Sequence, residues 1–167
     1  MFELFLAALL AAGAVHDQVR RDPSEGSRTA EMMLVYVLAG YCGVMMVVLG
    51  LVAVFDPDWI AINMAQVPPG NPVMIWAGFL FLGLGVVAIM TIWHRGVFLI
   101  APVIVWSTYW GGATYAHLVA DRHNGHPLTA RLFIETFVGH GLVAVILLVL
   151  AGLVWRRSAT PLRTAEA

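Results

Sequence analysis

The residues with the greatest capacity for chemistry lie between 108 and 140, in TYWGGATYAHLVADRHNGHPLTARLFIETFVGH. His117, Asp121, Glu135 and His140 are titratable groups in or beside two strongly apolar runs. An imidazole facing a carboxylate could share a proton, or hold a cation or a small polar ligand. If both runs are helices, His117 and Glu135 each lie roughly 6 Å inward from the polar turn that joins them. That matching depth makes them the expected pair, with Asp121 one turn from His117 on the same face. The same pair could equally do no more than satisfy itself and pin two helices together.

His140 is placed deeper, between Gly139 and Gly141. Its depth differs from that of His117 by roughly 7–8 Å on an ideal helix, which argues against bis-His ligation of a haem and suits a neutral residue hydrogen-bonded between helices. His123 and His126 in the turn could ligate a metal with Asp121, but zinc sites usually want three or four ligands. Cys42 and Met46, at i and i+4, have the softness Cu(I) prefers, although methionine in an apolar run is more often packing. His16, Asp17, Glu31, His94 and Arg95 would meet at the opposite surface as a solvated network of charges. The sequence names no cofactor, and it contains no nucleophile–base pair of the kind used in acyl transfer.

The elements that must position these groups follow from composition. Of 167 residues, 60% are hydrophobic and 11% charged, with a mean hydropathy of +0.85. A soluble domain carries roughly 25% charged residues, so this is an all-α integral membrane bundle. Four segments are long and apolar enough to span: 31–55, 73–93, 97–120 and 131–155. Residues 2–19 form a fifth, shorter expected span, since the only early charge is Glu3 and a signal peptide would want a positive start. One bundle over 1–157 and a polar tail at 158–167 complete the organisation.

All nine basic residues are arginine, and seven of them fall in the first and third loops and the tail, leaving Arg122 and Arg131 on the other side. That bias places the C-terminus in the cytoplasm of an inner-membrane protein, with the N-terminus and the loop after Ala120 outside. The net charge of −1 excludes a nucleic-acid partner, which would need a basic stripe. Lipids are the expected surroundings. Small residues at helical spacing (Gly112, Ala116 and Ala120; Gly78, Gly83 and Gly85) offer faces for helix packing, self-association or a membrane-protein partner.

The order of features resembles a family of small prokaryotic multi-spanning membrane proteins known only as a domain of unknown function. The resemblance runs from about Phe55 to Glu135. It is carried by FLGLGVVAIMTIWHRGVFLIAPVI at 81–104, GGATYAHLV at 111–119 and NGHPLTARLFIET at 124–136. NPVMIWAG at 71–78 departs from it, placing Trp76 where the family usually has a carboxylate. The resemblance implies about five helices and no particular activity. The function expected from the sequence is therefore a non-enzymatic bundle or an accessory subunit of a membrane complex. The alternative is a transporter or membrane enzyme that works through a His/Glu pocket in the outer half.

Overall fold

The computed structural model describes residues 2–20, 28–65, 67–123 and 129–163, and among them every regular element is helical. Helix α1 runs Phe2–Arg20, and α2 covers Thr29–Phe55. A short α3, Pro57–Ile60, passes into a wide turn at Ala61–Ala65. Helices α4 and α5 follow at Val73–Ile92 and Gly96–Ala120. The last helix, α6, begins as Ala130–Thr136, widens at Phe137–Gly141 and continues as Leu142–Arg163. In hydrocarbon each backbone N–H and C=O must find its partner within the chain, and a continuous helix is the simplest way to do so.

Among the described residues, four helices are long and apolar enough to cross a membrane: Thr29–Phe55, Val73–Ile92, Gly96–Ala120 and Phe137–Arg156. The chain is an integral membrane protein. Helix α1, which carries Glu3, His16, Asp17 and Arg20 in its 19 residues, is not among the four. It nevertheless lies along α2, with Gly13 against the backbone of Met33 and Leu9 against Gly40.

Helix α2 is the centre of the bundle. Half of its apolar stretch is buried, 50%, against 17% to 33% for the other three spans. It packs against α1, α4 and α6, and Leu34, Val37, Leu38, Cys42 and Met46 are sealed in the core with Trp106, Val143 and Leu147. Its contact with α4 is backbone to backbone. A Cβ on Gly50 would come within 2.8 Å of the Gly78 carbonyl, and one on Gly85 within 3.0 Å of the Gly43 carbonyl. Only glycine permits that approach, and the resulting van der Waals contact replaces the hydrophobic driving force that lipid does not supply.

The small-residue expectations divide accordingly. Gly78 and Gly85 meet α2, whereas Gly83 faces open space. Gly112, Ala116 and Ala120 are all exposed, so this face is left largely uncovered by the described residues. Rotation about the helix axis decides the difference, and spacing alone does not report it.

The first described contact between α1 and α2 is electrostatic. Asp17, only 7% exposed, accepts the Arg28 backbone N–H at 3.1 Å and the Thr29 hydroxyl at 2.6 Å. A carboxylate there meets the unsatisfied donors and the positive end of α2. His16 Nδ1 lies 2.8 Å from the Tyr36 hydroxyl, and the His94 ring packs on Phe98. The expected solvated network is thus corrected: Asp17 is a buried cap, because the α2 terminus offers it better partners than water.

At the opposite end, Asp56 caps α3 through the Trp59 N–H, and Pro57 occupies the first turn, where no donor is needed. Asp58 accepts the Gly70 N–H at 2.6 Å, tying α3 to the loop before α4. Gly70, at φ 79, sits in the left-handed region that this turn requires. Helices α4 and α5 are joined by the tight turn before Gly96 yet meet only sparsely. An open space lies beside them, walled by both helices together with α2, the α3 segment and α6.

Candidate functional site

That space is a cavity of about 310 Å³. Helix α2 supplies Tyr41, Met45, Met46 and Leu49 to its wall, and the α3 segment supplies Ile60, Met64 and Ala65. From α4 come Met74, Ala77 and Phe81; from α5, Tyr109, Trp110, Ala113 and His117; from α6, Gly139 and His140. The lining is aromatic rings and thioethers with two imidazoles, the pattern of a small-molecule site: apolar walls and a few convergent polar groups.

Three stretches of the chain adopt the wide π turn: Val37–Val44, Ala61–Ala65 and Phe137–Gly141. Each one borders the cavity, through Tyr41, through Met64 and Ala65, and through Gly139 and His140 respectively. A π turn inserts one residue into the helix, which re-aims the side chains around it and disturbs the regular bonding. Gly139 has nothing within 4 Å of where its Cβ would be, so it leaves the wall open beside His140.

The two imidazoles are in contact. The ring centroids of His117 and His140 are 4.6 Å apart, inclined by 35°. The depth argument that kept them apart is therefore corrected. It treated α5 and α6 as ideal helices starting at one level, whereas the helix containing α5 continues to His123 and α6 contains the π turn. Rings in direct contact cannot take the two opposite axial positions of a haem, which would have to lie between them.

His140 also departs from its expected role as an interhelical hydrogen-bonding residue. Its Nδ1 is buried without a bonded partner, and the Thr136 carbonyl one turn back acts on it without reaching hydrogen-bond geometry. Its ring lies 5.8 Å from that of Trp110, which in turn contacts Tyr41 at 5.4 Å and Tyr109 at 5.2 Å. Phe81 closes the series edge-on to Tyr109 at 5.6 Å. Edge-to-face contacts of this kind hold rings in fixed orientations, so the cavity wall is stiff on this side. The Trp110 indole N–H is likewise buried and unbonded, interacting with the Cys42 sulfur short of hydrogen-bond geometry.

The remaining sequence candidates fall as follows. The side chains of Asp121, His123, Arg131 and Glu135, and all of His126, lie outside the described residues, so the His117–Glu135 pair and the loop metal site are not placed. Met46 reaches the cavity, joined there by Met45, Met64 and Met74. Cys42 is sealed behind it, fully buried. Among the described residues no three His, Cys, Asp or Glu side chains gather as a metal set would. Sequence reasoning missed Tyr41, Met64, Met74, Phe81 and Tyr109. The available signal was the Met45–Met46 pair and the aromatics of 106–110.

No curated protein and no solved structure matches the chain. A family profile does, over residues 1–158, well beyond the stretch on which the sequence resemblance rested. The chain thus belongs to a family described only as a family of unknown function, DUF6790.

Proposed function

We propose that this integral membrane protein binds a small, mainly apolar molecule in the cavity between α2, α4, α5 and α6, with the His117–His140 pair receiving its polar end. One observation carries the reading: a cavity of about 310 Å³ whose wall holds two touching imidazoles and is otherwise almost wholly apolar. An engineered apolar cavity of roughly 150 Å³ already admits benzene, so the volume suits a molecule of one ring or a short chain. On this reading the protein is a binder or carrier of the ligand, standing alone or serving a larger complex. The arginine bias supports an orientation with the cavity in the outer half of the membrane.

Gentle extraction into lipid nanodiscs followed by native mass spectrometry tests the proposal. A small molecule should accompany the wild-type chain, or be taken up from an added mixture of small aromatic and aliphatic compounds. Gly139→Leu, which fills the open wall, should abolish that mass difference. Identical spectra for the two proteins would count against the cavity as a binding site.

A further inference from the structure

The geometry points to one class of occupant for this cavity: a single planar ring carrying a hydroxyl or carbonyl oxygen, of the phenol or quinone type. The inference rests on the binding role proposed above and adds the ligand's chemistry to it. Two sets of groups meet in the wall. The first is aromatic, with Phe81, Tyr109 and Trp110 held edge to face. Ring edges and faces of opposite polarity favour a flat aromatic guest over a flexible chain, since such pairs gain energy beyond burial of area.

The second set is thioether. Half of the chain's eight methionines, Met45, Met46, Met64 and Met74, come from three different elements to this one cavity. Sulfur about 5 Å from a ring is favourable, and the unbranched side chain adapts to the ring's outline. An acyl chain would gain nothing from either set that leucine would not provide.

The polar end is equally specific. In its neutral form an imidazole presents one N–H donor and one bare nitrogen acceptor. Both residues line the cavity, so their rings border the space a ligand would fill. A phenol hydroxyl both donates and accepts, and a carbonyl oxygen accepts; either can engage the pair without bringing a charge into the membrane. An anionic headgroup would carry that charge with it, at a cost that the apolar walls do nothing to offset.

The test uses the full chain in nanodiscs with ¹³C-methyl-labelled methionine, assigned by single Met→Leu replacements. Three probes of known structure are titrated: p-cresol, toluene and 1-octanol. The expected result is ring-current shifts at the methyls of Met45, Met64 and Met74 with p-cresol. Its affinity should exceed that of toluene about tenfold, the factor equivalent to roughly 1.4 kcal/mol. His140→Phe should erase that advantage while leaving toluene binding unchanged. If 1-octanol binds as tightly as p-cresol, or toluene equals p-cresol in the wild type, the ring-and-oxygen assignment is wrong and the cavity remains a site for another apolar ligand. If none of the three moves a methionine methyl of the cavity, both the assignment and the binding role fall.

Discussion

The imidazole of His140 lies against that of His117, centroid to centroid at 4.6 Å, across the packed faces of α6 and α5. His117 sits in an uninterrupted α-helix, whereas His140 lies within a π turn. The π turn at Phe137–Gly141 turns His140 into the cavity, and the ring of Trp110 behind it limits where the imidazole can go. A buried nitrogen without a partner is a cost to the fold, of about 1–3 kcal/mol for a typical polar group. Both rings also border the open cavity, and that is what links this pair to a ligand rather than to stability.

His140→Phe should therefore leave thermal stability unchanged or raise it slightly. The substitution keeps a ring in contact with Trp110 and removes the unpaired nitrogen. Unfolding followed by circular dichroism in detergent checks this. A loss of more than about 2 kcal/mol, the range of a broken buried polar contact, would mean that His140 serves the fold after all.

Asp17→Ala should be clearly destabilising. The carboxylate is buried and bonded to the Arg28 N–H and the Thr29 hydroxyl at the start of the central helix. Charged-group hydrogen bonds and N-caps each contribute about 1–3 kcal/mol. Thr29→Ala, which removes one of these bonds, should cost less. Equal midpoints for Asp17→Ala and the wild type would contradict the capping role.

Much of the architecture was legible because it depends on quantities a sequence reports directly: apolar run length, the absence of charge, and the DPD and VPPGNP breaks. The cavity was not. It is bordered by three π turns and by the sparsely touching α4 and α5, and no residue in 37–44 or 137–141 announces an extra residue per turn. His117 and His140 were both singled out, yet their pairing was set aside because ideal helical rise put them at different depths. Tyr41 and Met64, which line the same cavity, carry no local sequence signal that sets them apart from other residues of an apolar run.

The glycines offer a paired test of the α2–α4 contact. Gly50→Ala drives a Cβ into the Gly78 carbonyl and the Leu82 backbone, with approaches of 2.8 and 2.9 Å. Overpacking of this kind costs about 1–3 kcal/mol. Gly83→Ala, with open space around it, should stay within about 0.5 kcal/mol of the wild type. Comparable losses for the two would show that backbone approach is not what holds these helices.

Ser107→Ala should be neutral or stabilising by up to about 1 kcal/mol, because its buried hydroxyl oxygen has no hydrogen-bond partner. A thermal scan of the single variant is sufficient. A marked drop would reveal a bonding partner, such as a bound ligand or an ordered water, for that hydroxyl.

The central claim is that the cavity at His117 and His140 is where this protein holds its ligand, and p-cresol affinity in Gly139→Leu measures it most directly. Nothing lies within 4 Å of a Cβ built at Gly139, so the leucine side chain can enter the cavity without displacing the backbone of its neighbours. The account predicts an unfolding midpoint at or above that of the wild type together with a fall in affinity of at least about tenfold. Undiminished p-cresol binding in this variant would contradict it.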